Sequence, residues 1–307
     1  MKAVVLSGLG GPEMLSVQEI PDPVPGPGEI LVDVHAASVN AADWKMRRAE
    51  ARYAVSFPYI LGRDFSGTVA ALGPGVADFA PGDAVFGVAD QGGDGCYAER
   101  LAIKAAIVAR KPDALTHAQA AAMGLTSLTA LWALEDTAKL QAGETVLVQG
   151  GAGGVAGFAI QLARHLGATV LTTASAANHD YARSLGAHRA IDYRTEDVAA
   201  AAGPCDVVFD TVGGSARDSS YAVLKPGGRL VWIAEAPKDY VIPRQDVRTL
   251  RPDVKRDRAH LERMKALLAA GAVWPPEIVT YAMDDVREAH RVSEARHLRG
   301  KLVLAIR

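Results

Sequence analysis

The residues best suited by type and spacing to do chemistry form the run Gln149-Gly150-Gly151-Ala152-Gly153-Gly154-Val155-Ala156-Gly157. An apolar stretch, Thr145-Val146-Leu147-Val148, leads into it, and an amphipathic stretch from Phe158 to Leu166 leads out. The order is strand, tight turn, helix. Such a turn lets backbone approach a pyrophosphate, and the following helix N-terminus offers free N–H groups and a partial positive charge. The match is Gly151-x-Gly153-x-x-Ala156, with Gly150 also available to the turn and Ala156 in the last small position. A Gly-rich surface loop is the competing reading, and the flanking periodicities argue against it. The candidate cofactor-binding backbone is therefore Gly150, Gly151, Ala152, Gly153, Gly154 and Val155.

About 20 residues past such a turn, an Asp or Glu normally takes the ribose 2′-hydroxyl of NAD. Here Thr169-Val170-Leu171-Thr172-Thr173 runs into Ala174-Ser175-Ala176-Ala177-Asn178-His179 without an acid. A 2′-phosphate would meet no repulsion, so NADPH is expected over NADH. None of the eight histidines pairs with a Ser or Cys nucleophile in a recognisable motif. Cys96 follows Gly92-Gly93-Asp94-Gly95; an incidental small side chain is favoured there over a reactive thiol.

The elements that must position these groups begin with chain length. At 307 residues about two domains are expected. With 49% hydrophobic and 22% charged residues the composition is that of a soluble globular protein, and a net charge of −2 gives no reason to expect nucleic acid or an anionic membrane as partner. No apolar run reaches the roughly 20 residues of a membrane span, and Met1–Leu6 reads as a strand rather than a signal peptide. Two distant cysteines imply no disulfide framework, so a cytoplasmic location is expected.

The first 120 residues or so read as β-rich, with strands at Ile30–Ala36, Gly67–Leu72, Ala84–Val88 and Ala98–Ile103. From about 123 to 250, strands Thr145–Val148, Thr169–Thr172, Cys205–Phe209 and Arg229–Ile233 alternate with helices Phe158–Leu166, Asp180–Leu185 and Ser215–Leu224. That alternation predicts a doubly wound parallel sheet. Lys225-Pro226-Gly227-Gly228 reads as a helix end and turn. Beyond 250, Leu261, Met264, Leu267 and Leu268 mark an amphipathic helix whose charges are its solvated face, and Leu302–Ile306 reads as a final strand.

Several segments then resemble, over essentially the whole length, the zinc-free quinone oxidoreductase branch of the medium-chain dehydrogenase/reductase family. They are Val39-Asn40-Ala41-Ala42-Asp43, Leu61-Gly62-Arg63-Asp64-Phe65-Ser66-Gly67, Gly73-Pro74-Gly75-Val76, Pro81–Gly87, the glycine turn, Asp210-Thr211-Val212-Gly213-Gly214 and Arg299–Leu304. The resemblance implies an α/β protein: a GroES-like β-rich catalytic domain, residues 1–122 and 251–307, around a doubly wound Rossmann NADP-binding domain, residues 123–250. It also implies an active site in the interdomain cleft and a homodimer.

Zinc-dependent relatives carry Cys where Asn40 stands and Gly-His-Glu where Gly62-Arg63-Asp64 stands. A guanidinium has no lone pair for a metal, and two isolated cysteines cannot make the four-Cys structural site. No metal is expected, and Arg63 with Asp64 is read as an ion pair filling the vacated position. The resemblance gives the catalytic candidates Asn40, whose amide donates without titrating, Asp43, and Tyr53 in the loop over the cleft. Asn40 alternatively holds a turn, Asp43 anchors its loop, and Tyr53 packs. For the cofactor it gives Asn40, Thr129, Ser175, Asn178 in place of the usual Lys, Tyr193, Val212, Ile233 and Lys301. The competing readings are a helix start for Thr129, a half-buried aromatic on strand Ala190–Tyr193 for Tyr193, and a solvated strand-end lysine for Lys301.

The expected activity is NADPH-dependent, metal-free hydride transfer to a small quinone or α,β-unsaturated carbonyl. Hydrogen-bond donors, rather than a Lewis acid, would stabilise the resulting oxyanion. An enoyl-thioester reductase and a non-catalytic NADPH-binding sensor are the alternatives.

Overall fold

The computed structural model describes residues 1–50, 54–237 and 239–307. They form two compact units, residues 1–125, 256–265 and 275–307, and residues 126–255 and 266–274.

In the first unit the chain runs through β1 (Lys2–Leu6), β2 (Leu15–Glu19), β3 (Glu29–Val39), α1 (Ala41–Arg47), β4 (Tyr59–Ile60), β5 (Asp64–Leu72), β6 (Ala84–Val88), β7 (Arg100–Lys104) and β8 (Val108–Arg110). The helix α2 (His117–Leu131) follows. It is buried along most of its length, as a helix apolar all round must be.

The second unit contains β9 (Thr145–Val148), α3 (Gly154–His165), β10 (Thr169–Ala174), α4 (His179–Ser184), β11 (Arg189–Asp192), α5 (Val198–Ala202) and β12 (Cys205–Asp210). Then come α6 (Ser215–Ser220), β13 (Leu224–Trp232) and β14 (Arg248–Leu250). The chain continues with α7 (Arg258–Ala269), β15 (Ile278–Ala282), α8 (Val286–Glu294) and β16 (Lys301–Ala305).

The second unit is built on a six-stranded parallel sheet of order β11-β10-β9-β12-β13-β14. This is the doubly wound arrangement: β10 lies on one side of β9 and β12 on the other, so the strand order reverses beside β9, where ligands bind in such sheets. Its central strands β9, β10 and β12 are runs rich in Val, Leu, Phe and Thr, buried on both faces along most of their length. Residues expected to form a turn, Lys225-Pro226-Gly227-Gly228, lie inside β13 instead. The register between β12 and β13 shifts there, and Gly227, at φ +76°, absorbs the irregularity.

The first unit carries a seven-stranded sheet of order β15-β16-β3-β5-β6-β8, with β7 also paired to β3. A smaller sheet, β2-β1-β4, accompanies it. The long β3 holds the assembly together: its first half pairs β7, its second half pairs β16, and β5 runs along its other side. Leu302 therefore faces Val39, and Asp64 faces Ser38. The end of β3 and the starts of β5 and β16 come together at one place.

Candidate functional site

In the second unit the turn after β9 has the geometry its glycines foretell. Gly150 sits at φ +74°, a left-handed conformation that favours glycine. A Cβ on Gly151 would lie 2.2 Å from Thr172 Oγ1, so only glycine fits against β10. Within the turn, Gly150 N–H donates to Thr173 Oγ1 (3.0 Å), Gly151 N–H to the Thr173 carbonyl (2.9 Å) and Gly153 N–H to the Gly150 carbonyl (3.0 Å). The glycines are thus occupied in shaping the turn. The N–H groups of Ala152, Gly154 and Val155, at the start of α3, have no backbone partner among the described residues. Of the six expected cradle positions, these three are free to bind an anion.

Beyond β10, Asn178 Nδ2 donates to Ser175 Oγ (3.1 Å). Tyr193 lies past the end of β11 and is 49% exposed, so it is not the half-buried strand aromatic considered from sequence. At the end of β12, Asp210 Oδ1 accepts the N–H groups of Val212 (2.9 Å) and Gly213 (2.8 Å). The Val212 side chain is 46% exposed. Ile233, half-buried just past β13, donates its N–H to the Asp210 carbonyl. Thr129 is buried near the end of α2 rather than at a helix start.

In the first unit the meeting strand ends create a buried polar cluster. Asp64 accepts Ser38 Oγ–H (2.6 Å) and Asn40 Nδ2–H (2.8 Å) on Oδ1, and the Leu125 N–H (2.9 Å) on Oδ2. Asn40 Oδ1 accepts from Lys301 Nζ (2.7 Å), which also donates to the Val39 carbonyl (2.9 Å). A cation on one side and a carboxylate on the other fix which end of the Asn40 amide is which. Asp43 Oδ2 accepts the Asn40 N–H and the Tyr97 hydroxyl, each at 2.8 Å, while Oδ1 has no partner among the described residues. Burial pushes the Asp43 pKa up to about 6. Burial also lowers that of Lys301, against the pull of Asp64 and Asp43.

Comparison with known proteins fits this geometry. Residues 26–113 match the model of the alcohol dehydrogenase GroES-like domain, and residues 185–304 that of a zinc-binding dehydrogenase. A chloroplast envelope quinone oxidoreductase homolog of Arabidopsis thaliana is 30% identical, over 96% of this chain and 95% of its own. The solved quinone oxidoreductase of Coxiella burnetii is 34% identical, with a TM-score of 0.91 over 100% of this chain and 99% of the other. The chain belongs to the quinone oxidoreductase branch of the medium-chain dehydrogenase/reductase family.

It is also 36% identical, over 93% of its length, to the pikromycin polyketide synthase component PikAII of Streptomyces venezuelae, but spans only 8% of that protein. Two further solved relatives in this family are the CurK enoyl reductase (26% identity, TM-score 0.89, 99% and 98% covered) and a mycobacterial protein complexed with NADPH (30%, 0.89, 99% and 100%).

Within this branch, two sequence expectations need correction. Arg63 and Asp64 make no ion pair: Arg63 donates to the Ala89 carbonyl (2.6 Å), and Asp64 is engaged by Ser38, Asn40 and Leu125. At the start of β5 the two side chains leave on opposite faces of the chain, as neighbours in extended backbone do. The Asn40 amide hydrogens, expected to face substrate, are committed to Asp64 and to Ser38 (3.3 and 3.4 Å). The competing reading of Lys301 as a solvated strand-end lysine does not hold, since the residue is 4% exposed. Cys96 is fully buried, and burial drives its thiol pKa well above the ordinary value. That is the behaviour of an inert side chain. Tyr53 lies outside the described residues.

Ser38 and Tyr97 were not foreseen. The alternation of β3 places Ser38 and Asn40 on one face, but only the fold brings Tyr97 to Asp43. No helix among the described residues is long and apolar enough to cross a membrane.

Proposed function

We propose that this oxidoreductase transfers hydride from NADPH to a quinone or an α,β-unsaturated carbonyl without a metal. The observation that carries the proposal is a glycine turn leading into three N–H groups without a backbone partner among the described residues, together with a polar cluster whose side chains are already engaged with one another. The turn suits the cofactor because Gly151 is pressed on Thr172 and the free N–H groups of Ala152, Gly154 and Val155 follow it. Ser175, Asn178 and Tyr193 would hold the adenosine end, and Thr129, Val212 and Ile233 would line the nicotinamide end. The cluster does not suit zinc: Arg63 brings no lone pair, Asn40 Oδ1 is taken by an ammonium, and Asp64 already accepts three donors.

When bound, NADPH supplies a hydride to the conjugated carbon of the acceptor. The chain's own part is to stabilise the negative charge that then gathers on the acceptor oxygen. With the Asn40 amide engaged, that task falls to Lys301. Its ammonium has three hydrogens and two acceptors among the described residues, leaving one for substrate. The desolvated cation acts there much more strongly than in water. Asp43 positions Asn40 and Tyr97. Water or Tyr53 supplies the proton.

A second reading, reduction of enoyl thioesters, is favoured by the similarity to PikAII and to the CurK enoyl reductase. Oxidation of NADPH and NADH, followed by absorbance across quinones, enones and crotonyl thioesters, tests both. Quinone turnover without thioester turnover supports the first, and the reverse pattern supports the second. Binding of NADPH with no turnover on the whole panel supports a sensor instead. A cytoplasmic homodimer belongs to the same proposal, and sedimentation velocity measures its assembly.

A further inference from the structure

Resting on the cofactor choice proposed above, we infer that Arg194 is the residue by which this chain selects a 2′-phosphorylated dinucleotide. It supplies from the turn after β11 the positive charge that Asn178 does not bring to the end of β10.

The register sets the geometry. β10 and β11 are parallel, with Ala174 opposite Asp192. The next residues on each strand, Ser175 and Tyr193, therefore leave the sheet side by side, about 5 Å apart at the usual strand spacing, and Arg194 follows at once. The Arg194 guanidinium lies 5.6 Å from the Tyr193 ring centroid, held against the aromatic face. The side chain is exposed and forms no ion pair among the described residues.

The acids nearby are otherwise engaged. Glu196 is held by Arg189 (2.9 Å) and by the Asp192 N–H (2.8 Å). Asp180 meets Arg183 at 3.0 Å. Asp192 is nearly buried and accepts the Arg194 main-chain N–H (3.1 Å). At the end of β10, Ser175 Oγ accepts from Asn178, which leaves the serine hydrogen to be donated. Asn178 is neutral and occupied in aiming Ser175. The corner thus offers two hydroxyls, a preorganised guanidinium and no free carboxylate, which is the donor set for a dianionic phosphate.

The test is calorimetric binding of NADPH, NADH and 2′,5′-ADP to the wild-type chain and to Arg194→Ala, Arg194→Glu and Arg194→Lys. Thermal unfolding checks that each variant is folded. Arg194→Ala is expected to weaken NADPH and 2′,5′-ADP about tenfold or more while leaving NADH unchanged. Arg194→Glu should reverse the preference, and Arg194→Lys should recover part of it. If the wild type prefers NADPH and Arg194→Ala keeps the same NADPH to NADH ratio, the assignment of Arg194 is overturned and the cofactor choice stands. If the wild type binds NADH as tightly as NADPH, or neither, the cofactor choice itself fails, and the assignment with it.

Discussion

Replacing Asp43 by asparagine should make the protein more sensitive to acid and relatively more stable at neutral pH. The carboxyl is 1% exposed, takes two hydrogen bonds on Oδ2 and none on Oδ1, and its pKa is raised by burial from 3.8 to about 6. Between those two values the folded chain holds a proton that the unfolded chain has released. Stability therefore falls as pH rises from 3.8 to 6 and stays reduced above it. A rise from 3.8 to about 6 corresponds to about 3 kcal/mol. The asparagine could accept the same two bonds through its carbonyl and would bury an amide where Oδ1 lies, at a pH-independent cost of about 1–3 kcal/mol. That offset cancels when the variant is compared with wild type at two pH values. The stability difference between Asp43→Asn and wild type should move in the variant's favour by about 2 kcal/mol between about pH 4.5 and about pH 7.5. Urea unfolding followed by tryptophan fluorescence, to which Trp44 beside the mutated position contributes, measures it. An equal difference at both pH values would refute the burial argument for Asp43.

Four other outcomes can be checked directly. His290 is fully buried with no partner on either ring nitrogen among the described residues, and burial lowers its pKa to about 3. Unfolded histidine takes up a proton from about pH 6.5 downward, so the His290 contribution to stability should fall by about 2 kcal/mol between about pH 6.5 and about pH 4.5, opposing the gain from Asp43; the stability difference between His290→Leu and wild type should move in the variant's favour by that amount over the same range. Gly151→Ala, whose Cβ would lie 2.2 Å from Thr172 Oγ1, should lower the melting temperature and, under the proposed function, abolish NADPH binding. Gly153→Ala meets nothing nearer than 3.5 Å and should keep wild-type stability in the same scan. Lys301→Met strips donors from Val39 and Asn40, so a loss of about 1–3 kcal/mol in stability is expected; under the proposed function, kcat should fall at least tenfold with NADPH affinity retained by calorimetry. Under the proposed function, elemental analysis should find no stoichiometric zinc, and chelators should leave NADPH oxidation unchanged.

The Rossmann half of the fold was legible because its signals are local. Short apolar runs alternating with amphipathic ones give β9, β10, β12 and their helices, and the turn is written in glycines. The edge strand β14 was missed because three residues, Arg248–Leu250, carry no periodicity. α8 went unread because charged residues fill most of its length, whereas β15, Ile278-Val279-Thr280-Tyr281-Ala282, is an uncharged β-branched and aromatic run whose signal was there to read. At the buried polar cluster, the sequence pointed to Asn40, Asp43 and Lys301 but could not say what each would touch. The contact of Asp64 with Ser38 joins residues 26 apart in the chain, and that of Lys301 with Asn40 joins residues 261 apart; both are set by register between strands. Arg63 and Asp64 are adjacent in sequence, which suggests mutual contact; strand alternation sends them apart.

The interior position of β16, between β15 and β3, has a bearing on biosynthesis. As the nascent polypeptide leaves the ribosome, β3 must wait with half of one edge bare until residues 301–305 emerge. The parallel sheet of β9 to β14 is complete within a contiguous stretch and can mature meanwhile. Order of synthesis and order of assembly are therefore reversed: the portion translated first is finished last, and ribosomal stalling short of Lys301 would leave a β-edge open to chaperones or to self-association.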